Sequence, residues 1–175
     1  MKNQVFNLKI VIWFIILLAV TTLINDIIEF DFSKYTTFES WPLKDNNGKR
    51  WGLSQENIKY SFYIVEICLF AFKIYLIYGI AQLFYLIKNI ENKLYFSQKN
   101  IDLFKKIGHI FITYVINVFI LKAILSYVAS GRGFKFIQLL NNEIILLLAG
   151  GMAFYVLATI FERAKELQEE NDLTV

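Results

Sequence analysis

Four apolar runs, divided by charged or polar connections, organise this chain. The first extends from about Leu8 to Ile28, with an uncharged centre from Ile10 to Asn25 between Lys9 and Asp26. The second covers Tyr60 to Ile87 and is interrupted only by Glu66 and Lys73. The third covers Ile107 to about Val128, with Lys122 near its end, and the fourth, Ile144 to Phe161, contains no charged residue. A helix needs about 20 mostly apolar residues to cross the hydrocarbon core of a bilayer. The pattern therefore predicts an all-α, four-transmembrane-helix bundle, with spans at about 8–28, 60–87, 107–128 and 144–161. The first run resembles a signal peptide only in its preceding lysines: it lacks a small-residue cleavage site, and three further spans follow. The whole of 1–175 reads as a single integral membrane domain, without internal repeats or low-complexity segments.

Composition agrees with a membrane protein. Hydrophobic residues make up 57% of the 175 and charged residues 19%, where a soluble domain carries about 25% charged. The mean hydropathy is +0.48. A net charge of +3, scattered between apolar runs, argues against direct nucleic-acid binding and reports topology instead. Lys2, Lys9, Lys88, Lys93, Lys99, Lys105, Lys106, Arg163 and Lys165 fall on one side of the spans; Lys34, Lys44, Lys49, Arg50, Lys59, Arg132 and Lys135 fall on the other. Five of the first group crowd one short connection. Both termini are thus expected in the cytoplasm, in the cytoplasmic (inner) membrane of a cell.

The connections differ in character. The outer loop, residues 32–59, holds Pro42 and an Asp45-Asn46-Asn47-Gly48 turn signal between Trp41 and Trp51. It fits either a hairpin or an aromatic loop resting on lipid headgroups. In the cytoplasmic connection, residues 88–106, Ser97 is placed to cap a helix starting near Gln98, with Phe96 and Ile101 placed as a hydrophobic staple. Ile101, Leu103 and Phe104 alternate with Lys99, Asp102, Lys105 and Lys106, a pattern suited to the membrane interface or to a docked partner. The charged tail, residues 162–175, continues the fourth helix. Helices 3 and 4 are therefore expected to extend into the cytoplasm, where the acidic tail packs beside the lysine-rich start of helix 3.

Candidate chemistry is sparse. Glu66, Lys73, Lys122 and Glu143 are the intramembrane polar residues, costly in lipid and therefore candidates for ion pairs or for a polar route. Glu66 and Lys73 are two turns apart, about 10 Å by helix rise, too far to pair directly. Lys73 is expected deep, snorkelling or meeting an acid on another helix, and Lys122 and Glu143 are placed to pair. Cys68 alone rules out an internal disulfide, and His109 alone finds no ligand partners. The Gly150-Gly151 pair, with Ala149 and Ala153, reads as a helix-packing face. A nucleophile elbow, a zinc-protease pair, a P-loop and a dinucleotide fingerprint are all lacking. No catalytic residue, metal site or cofactor is expected, and homo-oligomerisation is left open.

Two stretches carry a family resemblance. "YFSQKNIDLFKKIG" is similar to the Phe-Ser-x-x-Asn and Leu/Phe-x-x-Ile-Gly pattern before the third helix of the domain of unknown function 2975 family, the YoaS-like bacterial membrane proteins. "FERAKELQEENDLTV" resembles that family's ending, a Phe leading through a charged helix to Glu-Asn-Asp/Glu-Leu-Thr-Val. Lys93 stands about where that pattern has a glycine, and the glycine usual after the tail's Phe is absent. The resemblance implies the four-span plan but no established activity. It also implies a small Cro/CI-type helix-turn-helix regulator as a partner held or released at the membrane. On that basis the partner-binding residues are expected to be Phe96, Ser97, Asn100, Ile101 and Phe104, with Glu170, Asn171, Asp172, Leu173, Thr174 and Val175. The alternative is a small transporter or channel with Glu66 and Lys73 on its route.

Overall fold

The computed structural model describes residues 2–28, 55–130 and 142–172. Most of the outer loop, including Trp41 and Trp51, and the terminal Leu173, Thr174 and Val175 lie outside the described residues. Four helices form the described chain: α1 (Lys2–Ile28), α2 (Gln55–Glu91), α3 (Gln98–Ser130) and α4 (Asn142–Asp172). All four are long and apolar enough to cross a membrane. The helical state follows from the solvent the sequence implies: in hydrocarbon every backbone amide must be satisfied within its own segment. The expected start of α3 near Gln98 and the helical continuation of α4 past Phe161 are both present.

Consecutive helices pack antiparallel, α1 on α2, α2 on α3 and α3 on α4. The core is a series of small apolar clusters rather than one central mass. Ile12 of α1 meets Ile80 and Ile87 of α2, flanked by Ile16, Leu83 and Phe84. Leu86 of α2, Phe104 of α3 and Ala158 of α4 meet near one end. Val115 and Val118 of α3, Ile144 of α4 and Leu69 of α2 meet towards the other. The outward faces are as apolar as the contacts: Phe6, Trp13, Phe14 and Leu17 of α1 and Leu146 and Val156 of α4 are all exposed. A surface of this kind suits lipid, since apolar patches of such extent are rare on soluble monomers.

Glycines set the closest approaches. A Cβ built on Gly108 would lie 2.8 Å from the carbonyl oxygen of Gly151, and one on Gly151 would lie 2.8 Å from Ile112, so α3 and α4 touch backbone to backbone here. Only one of the expected Gly150-Gly151 pair makes this contact: a Cβ on Gly150 meets Phe111 at an ordinary 3.7 Å. Ala149 and Ala153 are exposed, and the small residue buried on α4 besides Gly151 is Ala158, two turns beyond it.

Two ion pairs tie α1 to α2, Lys9 with Glu91 and Asp26 with Lys73. Along either helix the pairs lie about 25–27 Å apart by helix rise, close to the ~30 Å thickness of a hydrocarbon core. Lys73 is thus level with the end of the uncharged centre of α1, not midway along it. From Lys73, α2 continues for about 27 Å to Gln55.

Candidate functional site

The turn between α2 and α3 is built by its own sequence. At the end of α2, the amide of Leu94 donates to the carbonyl of Asn89 and the amide of Lys93 donates to that of Ile90, both at 3.0 Å. This pair of bonds is the Schellman arrangement, whose penultimate position takes a left-handed backbone. Lys93 occupies that position with φ 60°. The glycine of the family pattern has a physical reason at this place, because a Cβ there strains against the following carbonyl.

Asn100 locks the turn from the α3 side. Its side chain is fully buried, its Nδ2 donates to the carbonyls of Leu94 (2.6 Å) and Tyr95 (2.9 Å), and its Oδ1 accepts from Asn89 Nδ2 (2.9 Å). One amide thereby holds the end of α2, the turn and the first turn of α3 together. Ser97 stands at the cap position, its carbonyl accepting from the amides of Asn100 and Ile101. Its hydroxyl, however, turns back to donate to the Leu94 carbonyl at 3.3 Å instead of receiving a helix amide.

The end of α4 is fastened to this turn by aromatic and charged contacts. Phe161 stacks against Phe104 (4.9 Å between centroids) and against Phe96 (5.4 Å), and Phe104 also meets Phe154 (6.2 Å). Phe96, expected as a staple to Ile101, thus finds an aromatic partner on α4. Lys105 donates to both carboxylate oxygens of Glu162 at 3.1 Å, and Lys165 donates to Gln98 Oε1 at 3.1 Å while lying 3.6 Å from Glu169. The expected packing of tail against lysine-rich helix is present as these contacts. Past them, Glu166, Leu167, Glu169, Glu170, Asn171 and Asp172 are exposed, and Leu167 retains 66% of its accessible surface.

Of the residues expected to meet a partner, Asn100, Ile101 and Phe104 are buried inside this cap. Phe96 is exposed at its edge, Ser97 is half-buried, and Glu170, Asn171 and Asp172 are exposed on α4. The first three are enclosed by the packing of α2, α3 and α4. Asn89 went unread in the sequence. The signal for it was weak: an asparagine in the last turn of an apolar helix, one of several polar residues there.

A second polar group lies near the opposite end. Asp26, Lys73, Tyr114 and Glu143, with Thr22, line a cavity of about 260 Å³ between α1, α2, α3 and α4. Lys73 pairs with Asp26 and not with Glu66, which is half-buried two turns farther along α2. Glu143 borders this cavity, whereas Lys122 is half-buried on α3. Asp26 and Tyr114 were not singled out in the sequence. Asp26 reads there as a flanking charge, and only antiparallel packing brings it to Lys73. His109 is exposed and shares a 3.4 Å contact with Thr113, and no cluster of three metal-ligating side chains occurs among the described residues.

The family model described as "Protein of unknown function (DUF2975)" matches residues 52–175. The chain belongs to this family. In this DUF2975 member the matched part takes in α2, α3 and α4 and leaves out α1. No curated protein and no solved structure matches the chain. The two stretches that carry the DUF2975 resemblance lie far apart in sequence, yet they meet in the cap through Phe96, Phe104 and Phe161.

Proposed function

We propose that this protein is a non-catalytic membrane docking module whose capped end faces the cytoplasm and binds a small helix-turn-helix transcription regulator. The observation that carries the proposal is the tethered extension of α4. Phe161 and Glu162 anchor it to α3, so that Glu166, Glu169 and Glu170 are displayed around an exposed Leu167. A DNA-binding protein carries the complementary charge, because its binding surface must neutralise phosphates. Acidic docking would compete with DNA for that surface, and electrostatic complementarity of this kind chiefly sets encounter rate and partner choice. The crowd of lysines at the same end, Lys88, Lys93, Lys99, Lys105 and Lys106, supports the cytoplasmic orientation.

The test is co-purification in mild detergent with a small helix-turn-helix regulator encoded beside this protein. Capture by the full chain, abolished by E166K/E169K/E170K in a protein that remains folded, is the expected result. Undiminished capture after E166K/E169K combined with removal of Glu170 to Val175 would sink the proposal.

The alternative is a small transporter or channel with Glu66 and Lys73 on its route; Lys73 pairs with Asp26, and both line one cavity with Glu143. It is the weaker one, because the way from their cavity to the capped end passes Ile12, Ile80, Ile87, Ile107 and Ile110, all buried. Among the described residues the buried polar side chains are Gln82 and Asn100 alone. A continuous polar route is not built from these.

A further inference from the structure

A groove of about 570 Å³ runs along α2 and α3 near the capped end, lined by Tyr78, Gln82, Tyr85, Asn89, Lys99, Asp102, Leu103 and Lys106. On α2 these residues recur at alternating steps of four and three, one continuous helix face; on α3 Lys99 and Lys106 are two turns apart on the facing side. The volume falls within the range of sites that take small molecules.

The ammonium group of Lys106 decides what the groove is for. Its Nζ donates to Tyr78 Oη at 2.6 Å and lies 3.5 Å from Gln82 Oε1, with the Tyr78 ring centroid at 4.9 Å. Lys106 directly precedes Ile107, where the apolar run of α3 begins. Thus the amine stands at the border of the apolar slab, and its hydrogen-bond partners among the described residues, Tyr78 and Gln82, are neutral. A cation in that position is costly unless an anion joins it. Lys99 lies two turns, about 10 Å by helix rise, closer to the capped end and lines the same groove. Asp102 sits between them, its Oδ1 accepting from Gln98 Nε2 at 3.0 Å, which leaves one net positive charge for the groove.

We propose that this groove is a binding site for an anionic phospholipid of the surrounding bilayer. Lys106 holds the headgroup phosphate, and Lys99, nearer the capped end, adds to the attraction for its charge. Asn89 and Tyr85 face the headgroup, Tyr78 faces the glycerol esters, and the acyl chains pass beyond Tyr78 along the exposed Ile74. Basic pockets between transmembrane helices are recognised sites for anionic headgroups. The occupant is a lipid and not a free phosphate ion because the groove opens along apolar helix faces that lipid already covers. The inference does not depend on the docking function: the groove lies between α2 and α3 and includes none of the exposed acidic residues of α4.

The experiment is native mass spectrometry of the full chain, delipidated in mild detergent and titrated with dioleoyl phosphatidylglycerol or dioleoyl phosphatidylcholine. The expected result is at least a tenfold preference for the anionic lipid, reduced fivefold or more by K106M and by K99M. K165M, a lysine outside the groove, is expected to leave the preference unchanged. If K106M fails to fold, K99M and Y78F carry the same test. Equal binding of the two lipids overturns the proposal. So does an equal loss on K165M, which would mean diffuse attraction, and so does displacement of the lipid by millimolar inorganic phosphate, which would mean a free-anion site.

Discussion

Replacing Asn100 by leucine tests the account of the cap. The substitution keeps the number and branching of side-chain heavy atoms in a position with no accessible surface, so no cavity is left; its bulkier methyl groups add overpacking to the loss of hydrogen bonds. Three are removed: two donated by Nδ2 to the Leu94 and Tyr95 carbonyls and one accepted from Asn89. At about 1 kcal/mol net for each, the loss is about 3 kcal/mol, and any acceptor left dry raises it. Leu94 and Tyr95 are exposed, so water can reach their carbonyls and hold the loss near that figure. Ser97→Ala is the control: its hydroxyl makes a single 3.3 Å bond within the turn, and a loss below about 1 kcal/mol is expected. Equilibrium unfolding of the purified protein by SDS in mixed micelles measures both. A cost for Asn100→Leu no larger than that for Ser97→Ala would refute the argument that one buried amide holds the two helices and their turn together.

Other substitutions separate further parts of the fold. Lys93→Gly relieves the left-handed backbone at φ 60° and should stabilise the protein by up to about 1 kcal/mol in the same unfolding assay, whereas Lys93→Val should destabilise it. Gly108→Ala places a methyl group 2.8 Å from the Gly151 carbonyl and should cost about 1–3 kcal/mol, while Gly150→Ala, with 3.7 Å to spare, should be nearly neutral. A disulfide introduced across α3 and α4 would report the same contrast as altered cross-linking. For Asp26 and Lys73, each of D26L and K73L removes one partner of the ion pair. The double variant should therefore be more stable than the sum of the singles implies, with a coupling of about 0.5–3 kcal/mol in a double-mutant cycle. Lys105→Glu should weaken the attachment of α4 by less than about 1 kcal/mol, since both partners are partly exposed, and Glu162→Lys in the same chain should restore it. Protease cleavage after Lys165 measures that attachment directly.

The helices were legible because a bilayer imposes one simple rule on a chain: apolar for about 20 residues, or out. The start of α3 at Gln98 was equally legible, because Ser97 and the flanking Phe96 and Ile101 form a local pattern that needs no distant partner. Side-chain roles fared less well. Ser97 was expected to cap with its hydroxyl, yet the buried Asn100 takes over the stitching of the turn. The partner-facing assignment of Asn100, Ile101 and Phe104 rested on resemblance; the helix face they occupy is turned inward. Lys73 reads as a deep charge when α2 is considered alone, because its apolar run is long on both sides.

Local pattern therefore settles how many helices there are, where α3 begins, and which solvent they are made for, since each of these depends on neighbours within a turn or two. Depth, pairing and exposure depend on the register between helices, a relation between residues dozens of positions apart. Packing alone brings Asp26 to Lys73, Gly108 to Gly151 and Phe161 to Phe96 and Phe104. The same packing turns two separate family-like stretches into one cap and leaves Lys106 with neutral partners in a groove beside lipid. No periodicity in the chain encodes those meetings, because antiparallel helices of uniform apolar character can slide past one another until a glycine contact or an ion pair stops them.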